Sequence, residues 1–407
     1  MAEILKPETA EQACEAVAWA VAEETPLEIL GQGSKRGYGR PLQTPHSLDL
    51  SGLSGVSLYE AEELVTTAGV GTPMAELEAM LAEHNQAFAF EPPDFAPLWG
   101  GTAGSGTIGG VIATNLSGPR RIKAGAARDH FLGIEGVSGR GELFKSGGRV
   151  VKNVTGYDLC KLMAGSFGTL AAMTKVTVKV LPAAEKTRSV LLFGLDDAAG
   201  VKAMTLALQS PYEVSGAAHL PAWAAETSQV GYVQKAGGSV TALRLEGPGP
   251  SVEYRCQALR KLLSSLGETE ELHSMNSAGF WKEVRDAAPF QTLEDRAIWR
   301  LSTAPQNGPK LAASLESLPG AAWFYDWAGG LVWLAVTSGE SAAVREIREA
   351  VAVHGGHATL LRAPDALRSS VEVFQPLDEA KAALTKRIKD GFDPRGVINR
   401  GRMYEGV

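Results

Sequence analysis

The sequence predicts an α+β protein of two or three domains, and three observations support this fold class. The chain has 407 residues, which is more than a single hydrophobic core usually serves. Hydrophobic residues make up 44% and charged residues 21% of the chain, a balance typical of globular proteins. Glycine-rich loops dominate the first part, whereas from about residue 189 short strands alternate with helices, as in α+β domains.

The first part of the chain begins with a helix predicted over residues 9–23. Thr9 is its expected N-cap, with Gln12 at the spacing of a capping box. Pro182 and the charged run 185–188 indicate a domain boundary at the end of this part. Between these limits, apolar and β-branched patterning predicts strands at 27–30, 47–50, 64–70, 132–137, 150–151 and 171–181, and helices at 73–83 and 159–163.

The second part of the chain carries six of the eight tryptophans. Core packing is favoured for them over a binding role, because large aromatic side chains are usually buried. They are Trp223, Trp281, Trp299, Trp323, Trp327 and Trp333. Strands are predicted at 189–193, 239–245, 323–327 and 330–336, and helices at 197–208, 253–266, 341–353 and 379–389.

Charge and cysteine content exclude several classes of protein. The 39 basic and 46 acidic residues give a net charge of −7, which disfavours general nucleic-acid binding. The three cysteines are far apart and form no CxxC motif, so neither an iron–sulfur nor a zinc site is supported. The N-terminus has no signal-peptide pattern, and no apolar run of 18 residues is present. We therefore expect a cytoplasmic protein that reaches a membrane only through partners.

Residues 104–121 form the run most suggestive of a ligand. Small residues and hydroxyls let a backbone approach a large anion closely, and the run ends in the basic residues Arg120 and Arg121. It formally matches GxGxxG, but residues 97–102 before it are not the buried strand that an NAD(P) fingerprint requires. A P-loop is also excluded, because Gly33 is followed by Ser-Lys-Arg rather than by Lys-Ser or Lys-Thr.

Two further glycine-rich loops lie in the same part of the chain, at residues 31–39 and 165–170. Each loop alone could be a tight turn. Three of them within the first 182 residues indicate instead the lining of an extended, pyrophosphate-bearing cofactor.

In this order, the glycine loops resemble FAD-binding proteins of the vanillyl-alcohol oxidase/PCMH type. The motifs are Gly31–Lys35, Thr107–Gly110, Gly165–Leu170 and Phe392–Asn399. Among these proteins the chain is most similar to the FAD-binding subunits of bacterial glycolate oxidases (glycolate dehydrogenases). That closer resemblance rests on Glu91–Asp94, Leu116–Arg121, Ala127–Asp129 and Gly147–Asp158, and it is looser over about 190–370.

The resemblance implies a domain organisation for the chain. Residues 1–182 would be a two-subdomain PCMH-type FAD-binding domain with a break near 52–56. Residues 183–375 would be an α+β cap domain with an antiparallel sheet and helices, and residues 376–407 would pack back on the FAD domain.

The resemblance also implies the residues that bind FAD. The first loop would wrap the pyrophosphate, the second would follow the pyrophosphate and ribityl chain to the flavin, and the third would approach the adenine. Asn399 would bring the last segment beside the flavin, and Val176 would add a main-chain contact. The full set is Gly31, Gln32, Gly33, Ser34, Lys35, Thr107, Ile108, Gly109, Gly110, Thr114, Gly165, Ser166, Gly168, Val176 and Asn399.

Departures from the family pattern refine these expectations. Relatives that bind FAD covalently have a histidine in the first loop, whereas this chain has Ser34 and Lys35, so FAD is expected to be non-covalent. Phe167 stands where many relatives have glutamate, and Arg400 where many have proline. Neither change removes a main-chain contact to FAD.

Oxidation of a 2-hydroxy acid requires a group that takes the hydroxyl proton and a cation that holds the carboxylate. His354, His357 and Arg362 are the catalytic candidates in the second part, although an ordinary strand and turn would explain them equally well. The metal-binding histidine segment of related D-2-hydroxyacid dehydrogenases is missing from the sequence, so no metal is expected.

Three interpretations of the activity remain open. The chain could be the FAD subunit of a glycolate oxidase, working beside a homologous flavin subunit and an iron–sulfur subunit, peripheral at the inner membrane through that complex. It could be a free-standing FAD oxidoreductase of another 2-hydroxy acid. It could also serve electron relay or assembly without a substrate of its own. Whether Arg120 and Arg121 serve flavin, substrate or partner stays open as well.

Overall fold

A computed structural model describes residues 3–149 and 156–407 of the chain. The chain forms two compact units. Unit 1 comprises Met1–Ser117, Gly125–Ala183 and Glu372–Val407, and unit 2 comprises Gly118–Ala124 and Ala184–Val371. Both units combine helices with sheets, which confirms the predicted α+β class. The predicted strand at 150–151, and residues 150–155 of the motif at 147–158, lie outside the described residues.

The described part of unit 1 contains a small parallel sheet and a larger antiparallel one. In the small sheet β3 lies between β1 and β2, and in the large sheet the strand order is β4-β5-β9-β7-β8. The short strands β6 and β10 pair with each other. The strands are β1 Glu3–Leu5, β2 Leu27–Leu30, β3 His46–Asp49, β4 Val56–Glu60, β5 Val65–Gly69, β6 Gln86–Ala87, β7 Phe131–Ser138, β8 Leu143–Gly147, β9 Ala171–Lys179 and β10 Leu181–Pro182.

The first helix of unit 1 shows how local sequence sets an element. It spans Ala10–Ala22, and the Thr9 hydroxyl accepts a hydrogen bond from the Gln12 N–H at 3.2 Å. The Gln12 side chain in turn accepts from the Glu8 N–H at 2.7 Å, so the predicted cap is confirmed. The other helices of unit 1 are Met74–Glu83, Ile108–Thr114, Ala127–His130, Leu159–Met163 and Glu379–Phe392.

The C-terminal segment is part of unit 1 and is held there by a buried ion pair. Lys389 Nζ lies 2.6 Å from Asp393 Oδ2 and donates to the main-chain oxygens of Thr169 and Ile398 at 2.7 Å each. Both charged side chains are almost completely buried, so each requires the other. Beyond this pair, Ile398 forms a parallel bridge with Leu27 of β2. The C-terminal segment is thereby fixed beside the small parallel sheet of unit 1.

Unit 2 is built on one eight-stranded antiparallel sheet with the order β14-β11-β13-β12-β16-β17-β15-β18. Its core includes Trp281, Trp299 and Trp333, which are at most 3% exposed, in keeping with the packing role predicted for them. The strands are β11 Lys186–Phe193, β12 Gly216–Leu220, β13 Val240–Gly247, β14 Thr269–His273, β15 Arg296–Ser302, β16 Ala322–Asp326, β17 Leu331–Thr337 and β18 His357–Arg362.

Helices pack on this sheet through apolar stripes. Gly249–Leu263 packs on β11 and β13 and buries Val252, Cys256 and Leu259. Such residues three and four positions apart lie on one helical face. The other helices of unit 2 are Arg121–Ala124, Asp197–Leu208, Ala222–Ala225, Gly231–Gln234, Ser274–Arg285, Gly308–Ser314, Val344–His354 and Asp365–Ser370. Across the described residues, none of the helices is long and apolar enough to span a membrane.

Candidate functional site

Unit 1 contains a cleft of about 790 Å³ that gathers most of the residues predicted to bind FAD. Segments from the three glycine-rich loops, from β2 and β9 and from the C-terminal segment line it. From the predicted set, the lining includes Gly31, Gln32, Gly33, Ser34, Lys35, Thr107, Gly109, Gly110, Thr114, Gly168 and Asn399. Sequence motifs that are up to 370 residues apart therefore meet at one cavity.

The first glycine loop directly follows β2 and presents free main-chain amides. Gly33 adopts a left-handed conformation with φ of 74°. Within the described structure, the N–H groups of residues 32–35 have no hydrogen-bond partner. The Arg402 guanidinium donates to the main-chain oxygens of Lys35 and Arg36 at 3.0 and 3.1 Å. The loop is thus fixed through its carbonyls, and its amides stay available to an anion.

Lys35 adds a positive charge to this loop. Its ammonium lies 3.5 Å from the Ser34 hydroxyl and 3.2 Å from the point that a Cβ on Gly106 would occupy. Burial lowers the Lys35 pKa to about 8, while the negative charge of Asp94 acts in the opposite direction. A buried ammonium beside free amides suits a pyrophosphate, whose charge would offset the cost of burying the cation.

The second glycine loop leads into the short helix Ile108–Thr114, with Thr107 as its N-cap. Its amides are already engaged, because Ile108 donates to the Thr72 oxygen and Gly109 to the Val70 oxygen, at 3.1 and 2.9 Å. A Cβ on Gly109 would lie 2.6 Å from the Val70 Cβ. The glycine therefore serves close packing, and the cleft is lined at this point by an almost bare helix face.

The third loop and the C-terminal segment meet at Asn399. The Asn399 amide accepts from the Ile29 N–H at 2.7 Å and donates to the Phe167 oxygen at 2.8 Å. Gly168 lies so close that a Cβ there would stand 2.8 Å from Asn399 Nδ2, and its φ is 69°. Asn399 thus ties β2 to the third loop at the wall of the cleft, which gives this residue a structural role.

Four residues of the predicted FAD set are not among the lining residues of the cleft. Ile108 and Val176 are 1% exposed and belong to the core of unit 1. Gly165 and Ser166 lie in the third loop, where their N–H groups bond to the oxygens of Ile112 and Met163. Their assignment to FAD stays a prediction.

Sequence reasoning missed part of the cleft wall. Tyr38 and Phe167 pack edge to face with ring centroids 4.9 Å apart, and Phe167 has a φ of 54°. Glu28 forms an ion pair with Arg36 across the start of the first loop. Alternation along β2 and β9 could have indicated which of their residues face a ligand. The missed lining residues are Glu28, Ile29, Leu30, Arg36, Tyr38, Leu50, Val70, Ala113, Phe167, Ala171, Met173 and Arg402.

The three catalytic candidates lie in unit 2 but have different surroundings. His354 ends the helix Val344–His354, and its main-chain oxygen accepts from the Asn307 amide at 2.8 Å. His357 begins β18 and is exposed. Arg362 ends the same strand, and its guanidinium donates to the main-chain oxygens of Phe290, Leu293 and Arg296.

These surroundings suit the side chains of Arg362 and His357 to different roles. The Arg362 guanidinium braces the segment 290–296, and its bonds to the main-chain oxygens there account for its position without a ligand. His357 instead lies among positive charges. Although the residue as a whole is exposed, surrounding protein atoms remove part of the solvent from its ring, and this desolvation, followed by the charges of Arg300, Arg121 and Arg348, lowers its pKa.

The basic end of the central run, which the sequence left unassigned, belongs to unit 2. The Arg120 guanidinium forms two hydrogen bonds with the Glu246 carboxylate, at 2.7 and 3.0 Å. Burial alone would raise the Glu246 pKa, but Arg244 and Arg120 together lower it to about 2. Arg120 is therefore an anchor of the segment 118–124 within unit 2.

Comparison with known proteins matches this architecture to flavoproteins. Residues 1–147 match the family model described as an FAD binding domain. The chain is 35% identical over 392 residues to the glycolate oxidase subunit GlcE of Escherichia coli (strain K12), which covers 96% of each chain. It is 31% identical over 180 residues to a D-lactate dehydrogenase of Archaeoglobus fulgidus, covering 44% of this chain and 38% of that protein.

Solved structures support the fold at low sequence identity. A 4-ethylphenol oxidase from Gulosibacter chungangensis aligns with a TM-score of 0.71 and 14% identity, over 99% of this chain and 89% of that one. A p-cresol methylhydroxylase aligns with a TM-score of 0.70 and 14% identity, over 98% and 88%. The fold is thus that of PCMH-type FAD-binding proteins. Together with the full-length identity, this means that the chain belongs to the GlcE family of glycolate oxidase subunits, whose cofactor is FAD.

Proposed function

We propose that this chain is the FAD-bearing subunit of a glycolate oxidase complex that oxidises glycolate to glyoxylate. The observation that carries the proposal is the cleft of unit 1, where the free amides of residues 32–35 and the buried ammonium of Lys35 suit a pyrophosphate. The identity to an E. coli glycolate oxidase subunit over 96% of the chain supports the choice of reaction.

Different residues of the cleft would bind different parts of FAD. The amides of residues 32–35 and the Lys35 ammonium would bind the pyrophosphate, and the bare helix face at Gly109 and Gly110 would admit the ribityl chain. When bound, FAD supplies the two-electron acceptor for oxidation of the alcohol. Because Ser34 and Lys35 stand in the first loop, the cofactor would be held non-covalently.

The remaining sequence predictions fit this proposal. Of the three catalytic candidates, His357 is the one that we propose to take the hydroxyl proton, since its lowered pKa favours the neutral imidazole, whereas the Arg362 guanidinium is already bound to main-chain oxygens. A homologous flavin subunit and an iron–sulfur subunit would carry the electrons onward. The protein would be cytoplasmic, and peripheral at the inner membrane through these partners.

The visible spectrum of the purified chain tests the proposal. We expect a flavin spectrum that survives gel filtration and is lost from the protein after acid precipitation, because the cofactor is non-covalent. Bleaching by glycolate should require co-expression with the other two subunits. A chain that purifies without flavin, and cannot be reconstituted with FAD, would contradict the proposal.

A second candidate function is a free-standing FAD oxidoreductase of another 2-hydroxy acid. The 31% identity to a D-lactate dehydrogenase favours it, although that likeness covers only 44% of this chain. The same spectrum separates the two candidates. Bleaching of the isolated chain by D-lactate, with no response to glycolate in the co-expressed complex, would favour this second function.

A further inference from the structure

The first glycine loop, residues 31–35, is held from both sides by one stretch of the C-terminal segment, residues 397–402. Before the loop, the Leu27 N–H of β2 donates to the Val397 oxygen at 2.7 Å, and the Asn399 N–H donates to the Leu27 oxygen at 3.1 Å. These two bonds form a parallel bridge beside β2. A distant stretch of unit 1 therefore fixes the strand from which the loop emerges.

After the loop, the side chain of Arg402 fixes the main chain by three hydrogen bonds. Its guanidinium donates to the main-chain oxygens of Lys35, Arg36 and Arg40, at 3.0, 3.1 and 3.1 Å. The Arg402 oxygen also accepts from the Arg40 N–H at 2.9 Å. Because the donors of a guanidinium form a rigid planar fork, these bonds set the directions of the peptide groups that they meet.

The surroundings of Arg402 leave it little freedom to move. The residue is 8% exposed, so its bonds to the loop are largely shielded from solvent. Gly39 has a φ of 99°, and a Cβ there would stand 3.1 Å from both the Arg402 Nε and the Arg402 oxygen. The Arg402 N–H donates to the Asn399 oxygen at 3.0 Å. Since buried donors and acceptors that lose their partners are costly, the loop and residues 397–402 hold one relative arrangement.

Local hydrogen bonds shape the loop as two consecutive turns. The Arg36 N–H donates to the Gly33 oxygen at 3.1 Å. The Tyr38 N–H donates to the Lys35 oxygen at 2.9 Å. Glycines make such a loop flexible in the unfolded chain, so ordering it costs conformational entropy. The contacts from residues 397–402 offset this cost before a ligand arrives, and the free amides of the loop are therefore arranged for an anion in advance.

We propose that Arg402 is a positioning residue for FAD, which fixes the first glycine loop in the shape that binds the pyrophosphate. Arg402 acts through the main chain of the loop and needs no contact with the cofactor. Docking of residues 397–402 and binding of FAD then stabilise each other, because coupling between two equilibria is reciprocal. The proposal rests on the proposed placement of the pyrophosphate at residues 32–35, and not on the choice of glycolate as substrate.

Titration of the FAD-free full chain with FAD, followed by flavin fluorescence, tests this role without turnover. We expect Arg402→Met to raise the FAD dissociation constant at least about tenfold, because it removes the charged donors and keeps much of the side-chain volume. Arg402→Lys should recover part of the affinity, since an ammonium still donates hydrogen bonds but lacks the planar fork. Arg400→Met is the matched control: Arg400 lies two positions earlier and is exposed, so FAD affinity should stay unchanged.

Hydrogen exchange of the FAD-free chain reports on the loop itself. In Arg402→Met we expect the bonded amides of Arg36, Tyr38 and Arg40 to exchange at least about tenfold faster, because the contacts that hold this part of the loop are lost. Amides of the sheet β4-β5-β9-β7-β8 should keep their rates. A general loss of stability would speed exchange in both regions alike, and that result would contradict a positioning role.

The outcomes separate this role from the proposed function. Unchanged FAD affinity in Arg402→Met would overturn the role, and if loop exchange rises at the same time, the proposed placement of the pyrophosphate fails with it. Equal FAD affinity in Arg402→Met and Arg402→Lys would also overturn it, since the donors would then have no effect. Weaker FAD binding with recovery in Arg402→Lys and faster exchange of the loop supports the role even if glycolate fails to bleach the flavin, in which case only the proposed reaction is wrong.

Discussion

The proposed FAD cleft of unit 1 and the arginine cluster around Trp327 in unit 2 are assembled by opposite means. The cleft is formed by main-chain amides on a loop without bulky side chains, with Lys35 as its buried cation. The cluster brings together the side chains of Arg121, Arg300 and Trp327, which come from separate segments of the chain. A loop that presents main-chain amides requires small residues in sequence, so it leaves a motif. A cluster of side chains requires only that distant segments meet, so it leaves none.

The largest effect that would test this contrast comes from adding a side chain at Gly109, where the helix that lines the cleft packs against Val70. In Gly109→Val a Cβ would stand 2.6 Å from the Val70 Cβ and 2.8 Å from the Val70 oxygen. Overpacking of this kind costs about 1–3 kcal/mol or more, so we expect FAD content to fall at least about tenfold. The ratio of flavin to protein absorbance after gel filtration measures it.

Two further variants show whether a loss of FAD in Gly109→Val comes from the position of the added side chain. Gly148→Ala is the matched control, because a Cβ there meets nothing within 4 Å, and it should retain FAD. In Gly110→Val the Cβ would meet side-chain atoms of Lys35 at 3.4 Å and of Thr107 at 3.5 Å, which are ordinary contact distances, so the fold should survive while the cleft is narrowed. Full flavin content in both valine variants would show that this helix face does not contact the cofactor.

A second effect, on stability and not on FAD binding, is expected where unit 2 relies on paired charges. Glu246→Gln would leave Arg120 and Arg244 without their carboxylate, and we expect a loss of about 2–4 kcal/mol in the free energy of unfolding. Because the folded-state pKa of Glu246 is about 2, below its ordinary value of 4.5, its stabilisation is complete above pH 4.5 and is lost as the pH falls toward 2. Urea titrations at pH 7 and pH 3 measure this difference.

Lys123→Gln is the control for that experiment. Lys123 lies on the same segment as Arg120 and pairs with Glu213. Because both side chains of this pair are largely exposed, loss of the pair should lower the free energy of unfolding by less than about 1 kcal/mol. Equal losses in the two variants would mean that burial of the Arg120–Glu246 pair does not matter.

The smallest expected effect is the pH dependence of FAD binding. Without FAD the Lys35 pKa is lowered to about 8, and a bound pyrophosphate should raise it again. Binding then takes up a proton above pH 8, so the FAD dissociation constant should rise by up to about tenfold per pH unit there and stay constant below about pH 7. Fluorescence titration with FAD between pH 6.5 and 9.5 measures it.

Lys35→Arg tests whether Lys35 is the group whose protonation makes FAD binding depend on pH. Arginine remains protonated throughout this range, so the variant should bind FAD with little dependence on pH. A variant with the same slope as the wild type would assign the proton to another group and would remove Lys35 from the pyrophosphate site.

Much of the fold could be predicted because many helices and strands are specified by residues within or next to them. The helices Asp197–Leu208 and Leu159–Met163 have the predicted bounds, and the Thr9 cap fixes the start of the first helix. The strand Gly216–Leu220 was missed, since Gly-Ala-Ala-His-Leu has little preference for a strand. It forms because β13 and β16 pair with it on either side.

The sequence by itself determined the nature of the first site. Glycines and small residues must follow one another where main-chain amides are to meet a large anion, so the loops at 31–35 and 104–110 predict a cofactor cleft from the sequence alone. Their order along the chain also carried the resemblance to FAD-binding proteins. These features survive in a sequence because they depend on neighbouring residues.

Only the tertiary structure decided which side chains work together. It showed Gly109 packing on Val70, placed Ile108 and Val176 in the core, and gave Arg120 a carboxylate in Glu246. It also brought Arg121 and Arg300 to one tryptophan ring. Such partnerships join residues that are distant in the sequence, 126 positions apart in the case of Arg120 and Glu246. They are set by strand order and register, for which a short motif carries no information.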